Sequence, residues 1–231
     1  MRLRIAALLV AAGTGVALTA QALRPADRAW TTAFVLDPGE LVTTGRNPYF
    51  ILEPGYVLTL EDGKTRLVIT VLDETVRIDN VETRVVEERE TVNGELVEIS
   101  RNFFALSTRT NAVFYFGEDV DMFKNGKVVS HEGAWRAGEN GARFGLAIPG
   151  LPLLASKYYQ EIAPGVAMDR AEIVGLDETV KTPAGEFSGV LKVAETTPLE
   201  PGVRELKYYA RGVGLVADGT LRLVKYGKQK Q

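Results

Sequence analysis

The chain has no cysteine and a single histidine among 231 residues. The first absence excludes disulfides, thiol nucleophiles, redox pairs and cysteine-type zinc sites. The second leaves His131 as the sole imidazole. Any Ser-His-Asp triad would have to use it, and no Gly-x-Ser-x-Gly elbow accompanies it. His131 follows Val129 on an apparent strand beside Glu132, which reads as a structural or surface histidine. Transition-metal sites recruit several His or Cys ligands, so that chemistry is also poorly supported. A large excess of charge of one sign is missing too. Lys+Arg total 27 against 30 Asp+Glu. Without Arg2 and Arg4 the balance is 25 − 30 = −5. Phosphate recognition needs a basic face, so no nucleic-acid partner is expected.

A long apolar run occurs once, at the start. Met1, Arg2 and Arg4 precede an uncharged stretch from Ile5 to Ala20, and Ala20-Gln21-Ala22 offers small residues at a cleavage spacing. Residues 1–22 are read as a signal peptide. The run is 16 residues (20 − 5 + 1) and carries two glycines, short of the ~20 a spanning helix wants. The protein is therefore expected to be exported, to periplasm or extracellular space, with no transmembrane segment after cleavage. The remaining 231 − 22 = 209 residues suit one domain that folds without disulfides.

Residues 23–48 carry little pattern and are read as an extended N-terminal arm, with one short strand at 32–36 and a loop at 43–48. From 49 to 231 the text alternates turn and strand as a single β domain. Five prolines precede glycine (Pro38, Pro54, Pro149, Pro164, Pro201), the chemistry of type II turns. Asp62-Gly63, Asn93-Gly94, Asn125-Gly126, Asn140-Gly141 and Asp218-Gly219 are hairpin signals. Runs such as Tyr56–Glu61 alternate, and Leu67–Leu72 is apolar on both faces. Helical periodicity is modest even at its best, over 26–33 and 153–160. The fold class is all-β, an antiparallel meander forming a barrel or sandwich.

The chain repeats itself. Leu72-Asp73-Glu74-Thr75-Val76 returns at Leu176-Asp177-Glu178-Thr179-Val180, an offset of 176 − 72 = 104. Glu90-Thr91 matches Glu195-Thr196, and Phe103-Phe104 matches Tyr208-Tyr209, both at 105. This predicts two related halves, about 64–131 and 168–227. Between them, 137–155 is rich in Gly, Pro and apolar residues. It reads as a linker filling the core, or as an apolar flap over a pocket.

Carboxylates offer two further readings. Glu118, Asp119 and Asp121 form a dense acidic cluster, the one calcium candidate. Counted from Asp119, positions five and six of a helix-loop-helix calcium loop would be Phe123 and Lys124, so that motif fails. The pairs Asp73/Glu74, Glu87/Glu88, Glu118/Asp119 and Asp177/Glu178 read mostly as solvated strand ends beside turns, with glycosidase chemistry as the alternative. Tyr158-Tyr159 and Tyr208-Tyr209 should each point one ring inward. Its hydroxyl would need a partner such as Glu161, Glu205 or water. Candidate ligand-binding residues are thus Trp135, Phe144, Leu146, Tyr158, Tyr159, Glu161, Tyr208 and Tyr209.

A set of segments carries a resemblance: Tyr115-Phe116-Gly117-Glu118-Asp119-Val120, Asn125-Gly126-Lys127-Val128-Val129, Glu132-Gly133-Ala134-Trp135, Tyr158-Tyr159-Gln160-Glu161, Asp169-Arg170-Ala171-Glu172, Thr197-Pro198-Leu199-Glu200-Pro201-Gly202 and Tyr208-Tyr209-Ala210-Arg211-Gly212-Val213-Gly214-Leu215-Val216. From about Val68 to Tyr226 the chain resembles a family of bacterial secreted proteins without an established activity. Members often carry Pro where this chain has Arg211, so the turn there differs. The resemblance implies export and a β-rich fold and supplies no catalytic residues or cofactor. The ending also loosely resembles periplasmic open β-barrel carriers of lipids.

The expected function is that of an exported, non-catalytic protein binding an apolar or amphipathic ligand, lipid-like or otherwise, or an envelope partner, with no cofactor. The alternatives are a structural or interaction module without small ligand, and a carboxylate-based enzyme acting on glycans. No particular protein partner is indicated.

Overall fold

The computed structural model describes residues 30–228. The leader read over 1–22 and the first part of the arm lie outside the described residues. Among those described, there are eighteen strands and no α-helix, and one 3-10 turn at Pro38–Glu40 is capped by the Asp37 side chain. The fold is all-β, as the turn spacing predicts.

The strands are β1 (Leu41–Val42), β2 (Gly45–Asn47), β3 (Phe50–Leu52), β4 (Tyr56–Glu61), β5 (Thr65–Ile78), β6 (Val81–Val92), β7 (Glu95–Ser107), β8 (Val113–Lys124) and β9 (Lys127–Ser130). They continue with β10 (Trp135–Arg136), β11 (Arg143–Ile148), β12 (Lys157–Tyr159), β13 (Glu161–Ile162), β14 (Arg170–Thr182), β15 (Gly185–Thr196), β16 (Glu205–Ala210), β17 (Gly214–Asp218) and β18 (Leu221–Lys228). The main sheet runs β12-β14-β15-β16-β17-β18-β4-β5-β6-β7-β8-β11-β13, and every ladder in it is antiparallel. Its two ends, β12 and β13, are separated in sequence by Gln160 alone. The sheet therefore curls into a nearly closed barrel whose seam lies at 157–162.

Glycine makes the seam possible. A Cβ on Gly145 of β11 would collide with the Gln160 carbonyl, so only a bare backbone lets the seam lie against β11. The described arm covers the same place. Thr31 pairs in parallel with Tyr158, and Phe34 reaches Phe114 and Phe144. The free edge of β12 is thereby covered rather than exposed.

Both copies of the repeated pentapeptide occupy the first strand of a long hairpin, where the ladder slips register. In β5–β6 the shift falls between Val71 and Thr75, and in β14–β15 it falls across Ile173 to Val180. Such bulges bend a strand. The tips then fold back: Ala184 N–H donates to the Leu223 carbonyl at 3.1 Å, and Asp79 packs against Gly138.

Three sequence expectations fail. The strand expected at 32–36 is irregular, and the loop expected at 43–48 contains β2. Asn47 explains the second point, because it is fully buried and organises that hairpin. In keeping with the weak helical periodicity, residues 153–160 form no helix, and Tyr158 and Tyr159 join the sheet. The 137–155 segment is neither linker nor flap in its middle, since β11 is a barrel strand between β8 and β13. Of its large apolar side chains, Leu151, Leu153 and Leu154 stand out into solvent.

Candidate functional site

The barrel interior is polar as well as apolar. On a strand, alternate residues share a face, and the registers place polar groups in one inward belt. Lys207 of β16 lies directly across from Asp218 of β17, and Glu195 is two residues beyond Val193, the other cross-strand neighbour of Lys207. The Lys207 ammonium is 2.7 Å from a Glu195 oxygen and 3.9 Å from Asp218, with Lys207 and Glu195 fully buried. Burial opposes charge on Lys207, but Glu195 and Asp218 overcome it and hold the ammonium protonated, above its ordinary range. Burial pushes the Glu195 carboxyl up, and Lys207 pulls against it.

The belt continues around the wall. Gln160, at the seam, donates from Nε2 to Glu195 Oε1 at 3.0 Å. Tyr158 lies in the cross-strand row Tyr158–Ala171–Glu195, and small Ala171 leaves its ring room beside Glu195. Among the described residues, the buried Tyr158 hydroxyl and Gln160 Oε1 have no hydrogen-bond partner. Desolvation, with Glu195 nearby, raises the Tyr158 phenol well above its usual range. On the facing wall, Asn102 lies across from both Val86 and Glu118, and its amide donates to the Val86 carbonyl and the Ser100 hydroxyl at 3.2 Å each. Burial also raises Glu161 well above the carboxylate range.

Below this belt the interior is apolar. A cavity of about 40 Å³ is lined chiefly by Phe50, Leu58, Ile69, Val71, Phe104 and Leu215, with the Glu88 carboxyl on its wall. A second cavity of about 20 Å³ shares Phe50, Phe104 and Tyr209 with it and adds Gln160 and Glu161. Desolvation pushes Glu88 up to about 7 against the pull of Lys207.

The β2–β3 hairpin closes one end of this space. It forms its own two-stranded sheet. Phe50 packs on Phe104 with centroids 5.0 Å apart. Asn47 donates to the carbonyls of Asn111 (2.7 Å) and Pro149 (3.1 Å) and accepts from Tyr49 N–H (2.8 Å). Gly212 N–H donates to the Pro48 carbonyl at 2.7 Å. One hairpin thus ties together the β7–β8 turn, the end of β11 and the β16–β17 turn.

The candidate residues read from sequence divide. Tyr158, Glu161 and Tyr209 come together in the lumen. Tyr159 is buried on the other side, edge-on to Trp30 at 6.3 Å. Both tyrosines of that pair are buried, because the arm covers the outer ring. Tyr208 is half-buried, with the Lys192 ammonium 5.5 Å from its ring centre. Phe144 belongs to an aromatic cluster with Phe34, Phe114 and Phe116, and Leu146 is its half-buried neighbour on β11. Trp135 lines a separate outer cleft of about 230 Å³ with Asp119, Arg136, Glu139 and Asn140. The charged pair there is already engaged, since Arg136 grips both oxygens of Asp119.

The calcium candidate is not assembled. On β8, Glu118 turns inward and is buried, Asp119 faces Arg136, and Asp121 is 2.9 Å from exposed His131. Among the described residues, no group of three His, Cys, Asp or Glu side chains could hold a metal ion. The reading of Glu88 and Glu118 as solvated strand ends is also corrected. Glu88 stands in mid-strand on the cavity wall, and Glu118 is buried in β8. Asn102, Gln160, Glu195, Lys207 and Asp218 were not singled out from the sequence as site residues.

Among the described residues no helix is long and apolar enough to cross a membrane. No protein-family model matches the chain, and no curated protein matches it. Among solved structures, a "putative lipoprotein" from Parabacteroides distasonis ATCC 8503 aligns with 80% of this chain and 100% of its own, at 15% identity and a TM-score of 0.35. A likeness of that degree says nothing about function.

Proposed function

We propose that this is an exported, non-catalytic binding protein whose barrel lumen takes an amphipathic ligand. The observation that carries the reading is the cavity itself: an apolar wall of Phe50, Phe104, Leu58 and Ile69 meets a polar belt at Glu88, Gln160 and Glu161. An apolar pocket with a few convergent polar groups is the usual form of a small-molecule site. As it stands, the space of about 40 Å³ suits water rather than a lipid-sized body. Entry of an alkyl chain therefore requires the β2–β3 hairpin to give way. That element shares no ladder with the barrel, which makes it the natural movable part.

Native mass spectrometry of protein purified from its own host tests the reading. The expected result is a bound small molecule released on unfolding. A bare polypeptide mass, together with no uptake of short amphipathic probes, contradicts it.

A further inference from the structure

We propose that the polar end of the lumen ligand is a cation, a primary ammonium or guanidinium, seated between Glu88 and Gln160 with its apolar part against Phe50 and Phe104. The inference deepens the binding reading above and rests on it.

Acceptor groups line this part of the lumen. Glu88 stands on the cavity wall, and among the described residues no cation is within ion-pair distance of it. Gln160 spends its amide nitrogen on two acceptors, Glu195 Oε1 and the Ala147 carbonyl, which fixes the orientation of the amide. Its orphaned Oε1 is therefore a carbonyl oxygen, more than nine-tenths buried, on the wall of the adjoining cavity. The Tyr158 hydroxyl beside Glu195 can accept as well as donate. A buried acceptor left unfilled is costly, so a donor-rich group gains most here. Lys207 does not supply that donor, being held by Glu195 and Asp218. An anionic head would meet Glu88 with no free cation among the described residues to receive it, and burial would magnify the repulsion.

The groups that face Glu88 electrostatically are Lys207 on β16, Tyr209 beside it, Asp218 on β17 and Glu118 on β8. Protonation of Glu88 removes the anion that receives the ligand. Cation binding should therefore weaken as pH falls through the neutral range.

The probes are octylammonium, octanol and octanoate, measured by isothermal titration calorimetry on the wild type at pH 8. Octylammonium is expected to bind at least about tenfold more tightly than octanoate, and Glu88→Gln to remove about tenfold of that affinity while leaving octanol unchanged. In the wild type, octylammonium affinity should also fall between pH 8 and pH 5.5, a readout independent of the variant's folding. Equal affinities, or a preference for octanoate, overturn the cationic head and leave the amphipathic lumen standing. Failure of all three probes to bind overturns both.

Discussion

At the scale of single residues, Lys207 holds the interior charge together. Lys207→Met leaves Glu195 and Asp218 in the barrel without their counter-ion, and breaking a buried pair in this way costs about 3–5 kcal/mol. Because the folded lysine titrates above its ordinary 10.5, its contribution is complete at neutral pH and disappears only in strong alkali. In the variant, the Glu195 carboxyl, pushed up by burial, recovers neutrality as pH falls, so the deficit should shrink toward pH 4. Urea unfolding at pH 4 and pH 7 measures this, and adding Glu195→Gln should restore part of the loss. Glu88 works in the opposite sense. Its folded carboxyl is raised to about 7 from 4.5, so the native state holds a proton that the unfolded chain gives up. Stability therefore declines as pH rises from about 4.5 to 7, by up to about 3 kcal/mol. Glu88→Gln should stabilise the protein at pH 8 and change little at pH 4, as thermal melts at the two values will show.

At the scale of elements, the β2–β3 hairpin and the seam carry the account. Asn47→Ala deletes three hydrogen bonds from a fully buried side chain and leaves two carbonyls and an amide unsatisfied. A loss of about 3 kcal/mol is expected, with faster hydrogen exchange confined to residues 45–52. Gly145→Ala drives a methyl into the Gln160 backbone, so the seam must open. Exchange should then rise at 157–162 and at 143–148, while the β5–β6 ladder keeps its protection. The hairpins themselves were legible in the sequence. Asn93-Gly94 and Asn125-Gly126 join β6 to β7 and β8 to β9 with both residues at positive φ, as two-residue turns require. The β2–β3 hairpin was not legible. Its strands are three residues each, and what fixes them is an asparagine bonding to segments 64 and 102 positions away.

For the whole molecule, alternation announced an all-β meander but not which face would be the lumen. In an ordinary sandwich the inward face is apolar, so Glu88 and Glu118 read as solvated residues. Closure of the sheet reverses that assignment, because a barrel has an interior large enough to need filling and these strands fill part of it with paired charge. Closure in turn depends on one residue, Gln160, which joins the two ends of the sheet, and no local pattern marks a residue for that task. The most direct measurement is a crystal structure of the protein isolated from its own host. Elongated density between Phe50, Phe104 and Glu88, with the 45–52 hairpin displaced from its Asn111 and Pro149 anchors, is the expected result. Ordered water alone in that space, beneath an unmoved hairpin, would contradict the account.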